Sequence, residues 1–304
     1  MTSKHSLTLL TGLVLLGLFS LLMPTAQATL PLDKNSGHEF ELLSSENLED
    51  AKVETLPGLK RKVAAKGLKF GAPIFIRIFK QSRQLELWIQ NGEQFELFRS
   101  YPICEMSGTL GPKLREGDEQ APEGFYWVNA GWMHPRSSFH LAMNVGYPNE
   151  YDRSYERTGS AIMIHGECSS SGCFAMTDPY IEEIYLLAEA ALLGGQDYFR
   201  VQIFPFRMTE ANMRRHGKWR WADFWQNLKE GYDFFEQHKR PPNVEVENQR
   251  YVFSDPLAPV EEPDTMIAET NEFEVVGIPE HLWDIFRLEQ SSPSVTPLQR
   301  VERR

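Results

Sequence analysis

A mainly β catalytic domain, with helices added towards its C-terminal end, is what this sequence predicts. Three observations point there. Short β-prone runs alternate with turn signals between residues 73 and 164, and helical periodicity with capping residues is concentrated after residue 177. Between them, His165 and Cys173 stand eight positions apart across a loop of small and polar residues.

The first segment reads as an export signal. Lys4 and His5 precede an apolar run from Leu7 to Met23; Pro24 breaks it, and Ala26-Gln27-Ala28 follows with small residues at both cleavage-determining positions. This is the pattern of a secretory signal peptide over residues 1–28. An uncleaved anchor is the competing reading, because the run approaches spanning length. Residues 29–69 are polar, charged and weakly periodic, and predict a linker or poorly ordered arm with one short helix around Leu48–Glu54. The catalytic domain with its helical additions is expected over 70–254.

Within it, Ile74–Phe79 is a strongly β-prone run, and Leu85, Leu87 and Ile89 alternate with more polar neighbours. Asn91-Gly92 supplies a tight turn before Phe95–Phe98, so the three strands form an antiparallel meander. A loop rich in Gly and Pro runs from Ser107 to Gly124. Further strands are expected at Phe125–Val128, Phe139–Met143, Ala161–Ile164 and Val201–Phe204. A helix starts at Thr177-Asp178-Pro179, with Asp178 as its N-cap, and ends at Gly194-Gly195. Two more are expected at Thr209–His216 and Trp219–Glu236; in the second, Trp221, Phe224, Trp225 and Leu228 make a core stripe. Residues 255–304 hold 11 acidic against 4 basic residues and many prolines, and read as a mostly disordered acidic tail with one short helix at Pro279–Leu288. Most of the net charge of −11 lies in this tail. The remainder is nearly balanced and has no basic stripe, which argues against nucleic acid as a partner.

The chemistry centres on Met163–Met176. A Cys thiolate is a strong nucleophile, an imidazole can take its proton, and a glycine beside the sulfur lets backbone N–H groups face a developing oxyanion. Cys173 is therefore the expected nucleophile, His165 its general base, and Gly172 an oxyanion donor together with the Cys173 N–H. Three cysteines leave one unpaired. Cys104 and Cys168 are either paired or separately reduced, and a Cys168–Cys173 bridge is a further alternative. Zinc held by His165, Cys168 and Cys173 is the disfavoured alternative, since paired Cys-x-x-Cys spacing is missing. No metal and no other cofactor is expected.

These residues resemble the YkuD-domain L,D-transpeptidases of bacterial cell walls. His165-Gly166 and Ser170-Ser171-Gly172-Cys173 match the two catalytic elements of that family; Ser107-Gly108 and Pro122-Glu123-Gly124-Phe125-Tyr126 match its upstream region. The shortened gap between the motif halves, Ser171 in place of a second His, and Ala175 where an Arg often follows match the YafK-like branch. So do Pro205–Thr209 and Arg240-Pro241-Pro242. The resemblance implies a YkuD-type antiparallel β-sandwich and a periplasmic enzyme acting on peptidoglycan stem peptides. It further implies hydrolysis of the amide between stem-peptide diaminopimelate and a covalently attached outer-membrane lipoprotein. The alternatives are an L,D-transpeptidase that forms 3–3 cross-links or attaches protein to peptidoglycan, and an inactive wall-binding module. The chain is expected to work as a monomer. For substrate contacts, Ser171, Asn144, Tyr147, Asp152 and Arg207 are the candidates, each with a structural alternative: a turn residue for Ser171, turn capping for the next three and an ion pair for Arg207.

Overall fold

The computed structural model describes residues 44–258. The expected signal peptide, the start of the 29–69 arm and the proposed helix at Pro279–Leu288 lie outside the described residues, as does nearly all of the acidic tail. The chain divides into two compact units between Arg207 and Met208.

The first unit opens with helices α1 (Glu46–Glu54) and α2 (Leu56–Ala65). Ser45 caps α1 by accepting a hydrogen bond from the Leu48 amide. Leu48, Ala51, Leu59 and Val63 are fully buried in the main hydrophobic core, which corrects the reading of this stretch as a loose arm. Only two residues per helix are buried, too narrow a stripe to reveal the packing in the sequence, yet tertiary burial stabilises both helices.

Strands β1 (Ile74–Phe79), β2 (Gln84–Asn91) and β3 (Gln94–Pro102) form the expected antiparallel meander, with Ile76 opposite Leu87 and Leu85 opposite Tyr101. After β4 (Gly124–Asn129) come β5 (Met133–Ser137), β6 (His140–Asn144), the short helix α3 (Glu150–Ser154), β7 (Met163–His165) and β8 (Phe174–Ala175). Helix α4 (Asp178–Leu193) and strand β9 (Tyr198–Phe204) complete the unit. One sheet has the order β3-β2-β1-β9-β4 and the other β5-β6-β7-β8. Neither is wholly antiparallel, because β1 pairs β9 and β7 pairs β8 in parallel. Every residue of β1 is buried, as expected of a central strand covered on both faces. Helix and strand have near-equal shares of the described residues, and the mixed sheets with their helical additions are consistent with the expected β-rich fold.

Helix α4 ties the sheets together. It contacts β6 and β7 of one and β1 and β9 of the other, and buries Ile181, Ile184, Leu187 and Ala188. The loop before β4 is fastened from below by Lys80. Its ammonium is 3.0 Å from the Glu123 carboxylate and donates to the Gly111 and Ala121 carbonyls. With Arg77, it is almost wholly buried.

In the second unit, helices α5 (Glu210–His216) and α6 (Ala222–His238) precede the hairpin β10 (Asn243–Glu247) and β11 (Arg250–Ser254). Asn227 of α6 exchanges two hydrogen bonds with the Tyr251 backbone. None of the described helices is long and apolar enough to cross a membrane.

Candidate active site

Strand register sets the site. On β7 and β8, Ile164 lies opposite Phe174 and His165 opposite Ala175. Side chains alternate along a strand, so Ile164 and Phe174 project to one side, where both are fully buried in the core. Met163 and His165, and Cys173 one step before Phe174, turn to the other side and line a cleft of about 580 Å³. Ala142 of β6 pairs with His165 and also lines the cleft, its small side chain leaving room above the imidazole.

Gly166 fixes the imidazole. Its carbonyl lies 2.7 Å from His165 Nδ1, so an Nδ1–H donates there and leaves Nε2 as the basic nitrogen. Its amide donates to the Phe139 and Leu141 carbonyls. A Cβ here would lie 2.6 Å from Asp178 Oδ1 and 2.8 Å from the His140 Cβ, which explains why glycine follows the histidine. The Phe139 ring packs on the imidazole with centroids 4.8 Å apart.

The loop from Gly166 to Gly172 is held at several points. Cys104 and Cys168 form a disulfide, which settles the cysteine pairing and leaves Cys173 as the free thiol among the described residues. Asp178 is not the cap of α4. Thr177 occupies the N-cap position, and Asp178 Oδ1 instead accepts from the Glu167 amide at 2.7 Å. Gly172 has φ +102°, a conformation that favours glycine, and its amide donates to Ser107 Oγ at 2.5 Å. The Ser107 hydroxyl in turn donates to the Glu119 carbonyl. The expected oxyanion role of the Gly172 N–H is therefore corrected, because that donor is already engaged. In the sequence Ser107 stands out only as part of a family-like segment, and its spacing from Cys173 carries no signal of this bond. Cys173 itself leads into β8 and not directly into a helix, since α4 begins only at Asp178.

Burial holds both reactive groups neutral. It pushes the Cys173 thiol above its ordinary range, against the weaker opposing pulls of the Met163 amide and the Lys113 charge. It also lowers His165 below its usual value, against the Gly166 carbonyl and the Glu167 charge. A neutral thiol and a neutral imidazole that line one cleft are the resting forms from which a proton can pass as sulfur attacks.

Of the expected substrate contacts, only Ser171 lines the cleft. The others do structural work. Asn144 Oδ1 accepts from the Gly146 amide and closes a turn. The Tyr147 hydroxyl donates to the Lys113 and Thr158 carbonyls. Asp152 is fully buried, paired with Arg157 at 2.8 Å and bonded to the Tyr126 hydroxyl. Arg207 pairs with Glu86 at 2.6 Å and lies over the Phe79 ring. Polar residues near a catalytic motif look alike in sequence whether they face a ligand or each other. The wall that sequence reasoning missed is Met133–Phe139, whose short, irregular strand β5 has no clear alternation.

Comparison with known proteins agrees with this geometry. The YkuD family, described as an L,D-transpeptidase catalytic domain, matches residues 73–203. Two Escherichia coli proteins, from strains K12 and O157:H7, each carry the name "Putative L,D-transpeptidase YafK". Each is 50% identical over 188 residues, covering 62% of this chain and 76% of the relative. Two solved structures are more distant. The helical cell shape determining protein Pgp2 of Campylobacter jejuni matches at 16% identity and a TM-score of 0.36, covering 62% of this chain and 80% of that one. Bd1075 of Bdellovibrio bacteriovorus matches at 22% and 0.33, covering 58% and 78%. Neither structural likeness is strong enough to bear on function. Half of the residues are shared with YafK over three quarters of its length, and the chain belongs to the YkuD L,D-transpeptidase family as a YafK-like member.

Proposed function

We propose that the chain is a cysteine hydrolase that cleaves the amide between stem-peptide diaminopimelate and a covalently attached lipoprotein in the periplasm. The observation that carries this reading is that the free thiol of Cys173, one residue before β8, and His165 of the adjacent β7 line one cleft, with His165 Nδ1 held by the Gly166 carbonyl. The thiol proton passes to His165 Nε2 as Sγ attacks the amide carbonyl. The oxyanion role falls to the Cys173 N–H in this reading, since the Gly172 N–H donates to Ser107. The imidazolium then protonates the leaving amine and a thioester forms. Water, deprotonated by His165, attacks the thioester, releasing a carboxylate and the regenerated thiol. The Cys104–Cys168 disulfide fits an oxidising compartment and supports export.

The family name favours the second reading, in which an amine resolves the thioester to give a 3–3 cross-link or a new protein attachment. Hydrolysis is preferred because Ser171 and Ala175 stand where transpeptidases carry His and Arg, which removes two groups that could hold an acceptor, and water needs no acceptor site. The test is incubation of the enzyme with sacculi carrying bound lipoprotein, followed by mass analysis. Released lipoprotein without 3–3 dimers supports hydrolysis; dimers with the lipoprotein still attached overturn it.

A further inference from the structure

The chain has 42 Asp and Glu residues among 304, yet none of the described residues lining the Cys173 cleft is acidic. The two acids beside the His165 loop, Glu167 and Asp178, are outside that lining. The cleft presents instead the Arg136 guanidinium, the His134 imidazole and the hydroxyls of Ser138, Ser169 and Ser171. Such a lining in so acidic a chain suits an anionic ligand.

Arg136 is the one permanently charged group in this lining. It stands on β5, across from the Cys173 loop, and is exposed. Its Nε donates to the Ser44 carbonyl at 3.0 Å, which orients the fork, and its terminal nitrogens have no acidic partner among the described residues. Lys113, whose charge reaches Cys173, is buried and already paired with Asp118.

We propose that Arg136 determines specificity by binding a free carboxylate of the substrate beside the scissile amide. This rests on the reading of Cys173 and His165 as an acyl-transfer pair. Two carboxylates could fill the role: the free one on the diaminopimelate side chain, or one on the amine that leaves. A planar guanidinium accepts either as a two-point contact.

Four synthetic diaminopimelyl tripeptide amides separate the sources. The side-chain carboxylate is free or a carboxamide, and the leaving amine is an amino acid or its amide. kcat/KM is measured for the wild type, Arg136→Gln and Arg136→Lys. The wild type is expected to prefer the carboxylate in one pair by about 10- to 100-fold. Arg136→Gln erases that preference and Arg136→Lys keeps part of it. The pair that responds identifies the source. Equal wild-type rates in both pairs, or a preference unchanged in Arg136→Gln, overturns the assignment. The same ratios are read by equilibrium binding to Cys173→Ala enzyme, with and without Arg136→Gln. A binding preference that depends on Arg136, without turnover, sinks the acyl-transfer reading and leaves the arginine assignment standing.

Discussion

The Met163 amide meets the Cys173 sulfur at 3.4 Å. Met163 is two residues from His165 on the same three-residue strand. One short strand therefore supplies both the base and a hydrogen-bond donor to the sulfur. The contact favours the thiolate, but burial outweighs it and the resting group is a thiol.

Cys173→Ala should abolish turnover, because no other free thiol among the described residues can replace it. Cys168 serves differently. Its disulfide to Cys104 spans 64 positions, and in the chain-entropy model a loop of that length stabilises the fold by about 4 kcal/mol at most. The double variant Cys104→Ser/Cys168→Ser should melt earlier and keep a reduced but measurable rate. A folded, wholly inactive double variant alongside an active Cys173→Ala enzyme would reverse the assignment.

The pH dependence follows from the two shifts. His165 must be neutral to act as base, and burial has lowered its pKa. The acid limb of kcat/KM should therefore fall below the ordinary imidazole value of about 6.5. A group with a lowered folded pKa contributes stability that is present above its unfolded value and lost as pH falls through the folded one. The destabilisation due to His165 should thus begin as pH falls below about 6.5 and be complete where the acid limb lies. Cys173 has the opposite shift, so its alkylation by iodoacetamide in a His165→Ala variant should rise only at alkaline pH. A thiolate titrating near neutrality in that variant would contradict this account.

Ser107→Ala tests the bond that sets the nucleophile's backbone. It strips the Gly172 N–H of its acceptor, and a buried unpaired donor costs about 1–3 kcal/mol. Thermal stability should fall by that order and kcat should drop while KM changes little, because the substituted side chain does not line the cleft. Gly172→Ala should be worse, since its φ of +102° is costly for any side chain and its Cβ would meet the Gln120 carbonyl at 3.4 Å. Unchanged kinetics in Ser107→Ala would remove that bond from the account.

How much of this could be read beforehand depended on whether a residue's role was local. The meander, α4 and the His165–Cys173 spacing are all encoded within a few neighbouring residues. The parallel pairing of β1 with β9 is not, because it joins segments more than a hundred positions apart, and β8 has only two residues to carry a pattern. Helix α1 is expected from the sequence, but its burial and the whole of α2 are hidden because charged residues outnumber the few that reach the core. Asp178 stood where an N-cap belongs, yet its carboxylate serves the distant Glu167 amide. Asn144, Tyr147, Asp152 and Arg207 have the side chains of ligand-binding residues, but their partners lie within the fold.

Residues 259–304 should be dispensable for chemistry, since the family match ends at residue 203. The cut belongs after Ala258. Arg240 holds both carboxylate oxygens of Asp255, which also accepts from the Leu257 amide, so truncation at Ser254 would strand Arg240. The longer product should keep the melting temperature and the activity on small substrates. A large fall in melting temperature would show that the removed residues support the fold.

Family-type residues restored at 171 and 175 should behave oppositely. Ser171 is exposed and lines the cleft, so Ser171→His should fold normally. It should raise the share of thioester resolved by an added amine relative to water, if side chains at this position help hold the acceptor. Ala175 is fully buried, paired to His165 on one side and to Glu105 on the other. An arginine there would overpack the core and bury an unpaired charge, a combined cost above about 3 kcal/mol. Ala175→Arg should therefore unfold at lower temperature without gaining transfer activity. In this chain the missing arginine is then a consequence of how β8 is packed, and restoring one residue cannot bring it back. Product ratios from mass analysis and melting curves decide the matter: a stable Ala175→Arg enzyme that forms cross-links would show that the site still has room for the family arginine.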